Sequence, residues 1–159
     1  MNILEKIVSN KKREVEKLKS EHPLSQHNYN VGPDSNIFFN NLKKSGISII
    51  AEVKRKSPSA GNLCTDFKPM EIAEVYKKSG AEAVSVLTDK KFFGGDKSYL
   101  TSIKNKVTIP VLRKDFIIDP YQVFESKNMG ADCILLIARI LDKTLLRDCI
   151  TIAGTIGMF

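Results

Sequence analysis

Tryptophan is absent from this chain, histidine occurs twice and cysteine three times, and each scarcity removes a class of function. Cys64, Cys133 and Cys149 are odd in number, far apart and in no CxxC pattern, so reduced thiols are expected in place of a disulfide framework or a zinc site. His22 and His27 share a polar N-terminal segment with no cysteine or carboxylate at ligand spacing, so no metal site is expected either. The sequence has no GxGxxG, no P-loop pattern and no Ser/His/Asp order, which disfavours dinucleotide binding, NTP hydrolysis and triad chemistry. No apolar run approaches membrane-spanning length. Near the N-terminus Glu5, Glu14 and Glu16 interleave with Lys6, Lys11, Lys12 and Arg13, and no apolar signal core follows. Export and organelle import are therefore not expected, and a cytoplasmic protein is.

Acidic residues are also in deficit, 18 against 25 lysines and arginines, for a formal charge of +7. Such an excess fits nucleic acid, an anionic small molecule or plain solubility. No basic motif is interleaved with aromatics, and the lysines are spread over every segment, so no nucleic-acid partner is expected. What is present is the composition of a globular protein, 42% hydrophobic and 27% charged over 159 residues, a length that suits one domain with a sizeable core.

Ile3, Leu4, Ile7, Val8, Val15 and Leu18 share one side of a helical wheel, which predicts an amphipathic helix over 2–19 whose basic face is solvated. Ser20 to Gly32 reads as a loop, and Asp34 or Ser35 is the candidate cap of a short helix running to Lys44 and ended by Gly46. The stretch Ile47–Pro58, ISIIAEVKRKSP, then runs from the pattern of a strand covered on both faces into a cluster of charge. Ser57–Asp66 reads as a loop, Pro69 opens a helix that Gly80 closes, and Ala83–Leu87 is the next strand. A polar loop, TDKKFFGGDKSY, precedes a helix over Tyr99–Asn105, and Ile109–Leu112 is a third strand leading into Arg113, Lys114 and Asp115. Asp119 and Pro120 start a helix that Gly130 ends, Cys133–Ile137 is a fourth strand, and a helix covers Asp142–Ala153. PMEIAEVYKKSGAEAVSVL and PYQVFESKNMGADCILLI repeat one grammar of proline, amphipathic helix, Gly-Ala-acid stop and apolar strand. Repeated βα units at ~25–30 residues imply parallel strands joined by right-handed crossovers, an α/β sheet that is either open or part of a (β/α) barrel.

Strand alternation puts Glu52 and Lys54 on one face at the C-terminal end of the first strand, and likewise Leu112, Lys114 and Phe116 on the third. Both ammonium groups would lean over one rim, where a lysine can hold a carboxylate or phosphate or deliver a proton to a developing alkoxide. On the residues alone Lys114 is a catalytic or ligand-binding group, a member of an ion pair with Asp115 or Glu52, or simply exposed. Glu52 orients Lys54, touches a ligand, or does both. Ser57, Pro58 and Ser59 read as a turn or a binding segment. Phe92 and Phe93 before Gly94 and Gly95 suit a lid over an aromatic ligand, with core packing as the competing reading.

AEVKRKSPSAG, VSVLTDKKFFGG, VLRKDFIIDPYQ and GADCILLIARIL, taken in order and at these spacings, resemble successive segments of the indole-3-glycerol phosphate synthase family. The resemblance spans essentially the whole chain. It implies a TIM (β/α)8 barrel, with residues 1–46 as an N-terminal helical extension and 47–159 as the first four βα units, half a barrel stopping before the fifth strand. It further implies closure of the indole ring of an anionic carboxyphenylamino-deoxyribulose phosphate, with release of carbon dioxide and water and with no cofactor or metal. On that resemblance Lys114 matches the general acid, Glu52 and Lys54 the pair that positions charged groups and supports dehydration, and Ser57, Pro58, Phe93, Phe116 and Leu135 line the pocket. Because the family's further carboxylate and phosphate-binding loops lie on later strands, impaired or absent turnover by the 159-residue chain is expected, with self-association through sheet edges. The alternatives are a non-catalytic half-barrel or anion-binding module and, from another family, a phosphate-handling barrel such as phosphoribosylanthranilate isomerase, against which the N-terminal extension and KRKSPS argue.

Overall fold

The computed structural model describes residues 2–23 and 37–159. The loop expected over Ser20–Gly32 and the caps expected at Asp34 or Ser35 lie largely or wholly outside them. Helix α1, Ile3–Glu21, begins at Asn2, whose side chain accepts from the Glu5 N–H while the Glu5 carboxylate accepts from the Asn2 backbone, a reciprocal capping box. Helix α2, Ile37–Leu42, is shorter than the run to Lys44 expected for it.

Strands β1 (Ile50–Val53), β4 (Ala83–Leu87), β5 (Val111–Lys114) and β6 (Cys133–Ile134) form one sheet in the order β1-β4-β5-β6. Every pairing is parallel, with Glu52 beside Ser85, Ser85 beside Leu112, and Leu87 beside Lys114. Helices α3 (Pro69–Lys78), α5 (Lys97–Lys104), α6 (Pro120–Asn128) and α7 (Lys143–Thr155) make the connections. Proline at the first turn starts α3 and α6, and Asp96, Asp119 and Asp142 cap α5, α6 and α7 through side-chain oxygens. Gly80 and Gly130, at φ of 91° and 87°, release the chain from α3 and α6 into the following strands, a conformation that an L side chain resists.

The main core lies between the sheet and these helices: Val53, Val84, Val86, Val111 and Ile134 meet Ala73, Leu100, Ile103, Val123, Cys149 and Ala153. The other sheet face carries a smaller cluster in which Phe38 of α2 packs with Ala83, Leu112 and Cys133. Alternation along each strand thus separates a helix-facing set from an inner set, and Glu52 and Lys114 belong by register to the inner one.

Five sequence expectations are corrected. The fourth strand, expected over Cys133–Ile137, stops at Ile134, where its ladder pairing with β5 ends opposite Arg113. The first strand is shorter than its apolar run and is not covered on both faces, because Ile47, Ile49 and Ile50 are 92%, 55% and 43% exposed. The loop after it contains a small antiparallel hairpin, β2 (Lys56–Ser57) with β3 (Gly61–Asn62). The third strand begins two residues later than expected and includes Arg113 and Lys114, since ladder pairing with β4 continues to Leu87 opposite Lys114. The TDKKFFGG loop folds into a helical turn, α4 (Lys90–Phe93), capped at one end by Asp89 and closed at the other by Gly94 at φ 62°.

Candidate active site

Glu52 and Lys54 stand at the C-terminal end of β1 and Lys114 at that of β5. With β4 alone between these strands, side chains as long as lysine span the gap. The Lys54 Nζ lies 2.9 Å from Glu52 Oε1 and the Lys114 Nζ 2.8 Å from Glu52 Oε2, so one carboxylate holds both ammonium groups. Of the readings open for Lys114, an ion pair with Asp115 is excluded: the Asp115 carboxylate turns to Arg113, Lys11 and Thr88. Burial pushes the Glu52 carboxyl up, but the hydrogen bonds and charges of Lys114 and Lys54 outweigh it and hold the group below the usual carboxylate range. All three side chains are about one-third exposed, which leaves the triad reachable by a ligand.

The aromatic expectation divides. Phe93 and Phe116 are half-buried and meet at 5.9 Å between ring centroids, so the loops after β4 and β5 present one tilted aromatic pair. Phe92 instead lies under the Lys91 ammonium at 5.6 Å. Ser57 is in the hairpin, where its hydroxyl accepts from the Ala60 N–H at 3.1 Å, and Pro58 is exposed at the hairpin turn. The hairpin reaches α4: a Cβ placed on Gly94 would lie 3.1 Å from the Lys56 Cγ. Leu135, just past β6, packs with the inner cluster around Phe38, Leu112 and Cys133.

Below this rim lies a charged network that sequence reasoning missed. Arg113, 1% exposed, places Nη2 at 3.0 Å from Asp115 Oδ2 and 2.9 Å from Glu125 Oε2, and donates through Nη1 to Ser126 Oγ and the Gln122 carbonyl. Thr88 Oγ1 donates to Asp115 at 2.7 Å and accepts from Arg113 Nε. The Lys11 Nζ enters from α1, 3.0 Å from Asp115 Oδ1 and 3.1 Å from Asp89 Oδ2. Lys11 is 4% exposed, so the expected solvation of the helix's basic face fails at this residue. Its signal was available, because Leu4, Val8, Lys11, Val15 and Leu18 fall on one helical stripe and a lone lysine in such a stripe needs a buried anion. Burial alone would raise the Asp115 carboxyl, yet Arg113, Lys11 and Thr88 hold it far below the usual range.

The cysteines are free, and burial, reinforced by Asp132, pushes the Cys133 thiol up to about 12, which makes it a poor nucleophile. Among the described residues no group of three or more His, Cys, Asp and Glu could hold a metal ion, and no helix is long and apolar enough to cross a membrane.

Residues 4–159 match the family model described as indole-3-glycerol phosphate synthase. The chain belongs to the indole-3-glycerol phosphate synthase family. Relatives named indole-3-glycerol phosphate synthase include one from Thermoanaerobacter pseudethanolicus, 46% identical over 157 residues that cover 98% of this chain and 60% of the relative. Another, from Chlorobium phaeovibrioides, is 46% identical over 162 residues, 99% of this chain and 63% of the relative. A third, from Leptospira interrogans, is 42% identical over 156 residues, 98% and 59%. The chain thus spans about 60% of the length of the curated relatives it matches. The synthase family has the TIM-barrel fold, and four parallel strands lying side by side in chain order, with helices between them, are the arrangement of successive barrel units.

Proposed function

We propose that this chain carries the lysine-rich half of an indole-3-glycerol phosphate synthase site, acting in the cytoplasm on carboxyphenylamino-deoxyribulose phosphate. The observation that carries the reading is the convergence of Lys54 and Lys114 on Glu52 at the C-terminal rim of a parallel sheet. In this reading the Lys114 ammonium donates a proton to the ketone oxygen as the ring carbon attacks, so that charge never accumulates on that oxygen. Loss of carbon dioxide then restores the aromatic ring, and departure of the hydroxyl as water completes the indole. Lys54 attracts the anionic substrate and, in the dehydration, gives the departing hydroxyl the proton with which it leaves as water, while the Glu52 carboxylate takes up the proton lost from the adjacent ring carbon as the double bond forms. The Phe93 and Phe116 rings give the aromatic portion an apolar wall, with Ser57, Pro58 and Leu135 as further lining.

The test is formation of indoleglycerol phosphate by the chain alone and by the chain mixed with the C-terminal remainder of a relative. Lys114→Ala is expected to lower formation by about 10²–10⁴-fold, the usual worth of a positioned general acid. Undiminished formation by that variant overturns the assignment. Binding of the substrate with no turnover in either format leaves anion binding as the function in its place. Self-association through the exposed flank of β1 belongs to the same proposal and is taken up below.

A further inference from the structure

Helix α1 touches the loops that carry the candidate site at several points. Asn10 accepts from Lys91 at 2.9 Å, and Lys19 pairs at 2.6 Å with Asp119, the cap of α6. Between them Lys11 bridges Asp89 and Asp115, and these two carboxylates have different jobs. Asp89 caps α4 by accepting from the Phe92 and Phe93 N–H groups, and so sets where the Phe93 ring stands. Asp115 directly follows Lys114 and accepts from the Phe116 N–H at 2.8 Å, and so fixes the chain on both sides of itself. Without a cation between them, two buried carboxylates from neighbouring loops repel and the loops part.

We propose that Lys11 is a positioning residue: from the N-terminal helix it locks together the two rim loops that present Phe93, Lys114 and Phe116, and thereby keeps the Lys114 ammonium on Glu52. Lys54 is the internal control, because it follows β1 and holds the other Glu52 oxygen, and among the described residues Lys11 pairs with Glu14, Asp89 and Asp115 and not with the Glu52 triad. The catalytic meaning of this placement rests on the function proposed above, whereas the placement itself does not. A merely structural lysine, on removal, exposes Lys54 and Lys114 alike or neither.

The experiment is trace acetylation of the whole chain with acetic anhydride over a pH series, with the extent at each lysine read by peptide mass spectrometry. In Lys11→Met, Lys114 should become about three-fold more reactive as an ion pair about one-third exposed is lost, while Lys54 stays within about 1.5-fold. Lys11→Arg, which retains the bridging charge, should restore the parent pattern at Lys114. Should Lys11→Met fail to fold, Lys11→Met combined with Asp89→Asn removes one charge of each sign and leaves Asp115 on Arg113. There the bridge is lost without the repulsion, so a smaller rise, still confined to Lys114, is expected. Equal changes at Lys54 and Lys114, or no change at Lys114 in a variant with native circular dichroism, would overturn the proposal. Acetylation requires no turnover. A selective rise at Lys114 beside an unaffected synthase assay in Lys114→Ala therefore keeps the positioning role and removes the function it was thought to serve.

Discussion

A carboxylate shared by two ammonium groups is the residue-scale fact that matters most, because Glu52 keeps Lys54 and Lys114 close despite their mutual repulsion. Glu52→Gln leaves two like charges with a neutral amide, so one lysine should swing away and, on the function proposed above, formation of indoleglycerol phosphate should fall by at least about ten-fold, within the range for losing an acid–base group. The pH dependence has a definite sign. A carboxyl held below its ordinary value near 4.5 stabilises the fold above that value and loses the contribution as pH falls through the depressed one. Asp115 obeys the same rule more strongly, being buried beside Arg113 and Lys11. Lys11 is held above the usual lysine range because Asp115, Glu14 and Asp89 outweigh the effect of burial, so its contribution is lost only in strong alkali. Thermal unfolding of the parent should accordingly weaken below about pH 4, and Asp115→Asn should flatten that acid limb; a parallel decline in the two proteins contradicts the linkage. Arg113→Met should cost up to about 3–5 kcal/mol in urea titrations, because it removes the buried cation that Asp115 and Glu125 share and leaves only Lys11 on the first and Lys97 on the second.

Among the elements, the turn between β4 and α5 is the most constrained. Gly95 donates its N–H to the Asp89 carbonyl at 2.8 Å, and a Cβ there would fall 2.2 Å from the Leu87 carbonyl oxygen. The obstruction is strand backbone and cannot rotate away. Gly95→Ala should therefore cost about 1–3 kcal/mol, as overpacking does, and should loosen the Phe93–Phe116 contact, read as a lower unfolding midpoint together with greater proteolysis at Lys90–Lys91. This turn also marks how far the sequence could be read. Elements bounded by proline, aspartate and glycine, such as α3, β4 and α6, were legible because those residues act on the backbone locally. Helix α4 was missed because four residues are too few to show an apolar period, although Asp89 before it and Gly94 after it are a cap and a stop. At the site, the two lysines and Glu52 were legible from strand alternation, which is local. Lys11 was legible only as a lysine within an apolar stripe, since its partners Asp89 and Asp115 lie far along the chain and only tertiary packing reveals that they share one cation.

For the molecule as a whole, the unequal treatment of the two sheet faces is decisive. One face is sealed by four helices, while the inner face meets α2 at Phe38 and is otherwise covered unevenly among the described residues. The two ends of the sheet also differ. Beside β6, the Phe159 N–H donates to the Asp132 carbonyl at 3.0 Å and the Phe159 carbonyl accepts from Ile134 at 2.9 Å, so backbone groups at that edge are already paired. At the other end β1 has β4 on one side, and among the described residues no strand on its other side. Where it begins, Ile47, Ile49 and Ile50 are exposed, an apolar flank at the start of an open parallel strand, which is the combination that another copy can cover. Burying such residues stabilises contact by roughly 25 cal/mol per Å², and the same apolar surface must be surrendered when the copies separate. We expect the chain to sediment as a concentration-dependent oligomer, and Ile47→Lys with Ile49→Lys to shift it toward the monomer without altering its circular dichroism. Neither substitution touches the Glu52 triad, so the Lys54 and Lys114 acetylation pattern should be preserved in the dissociated protein. A parent chain that stays monomeric across the concentration series would show that the flank is covered within the chain itself.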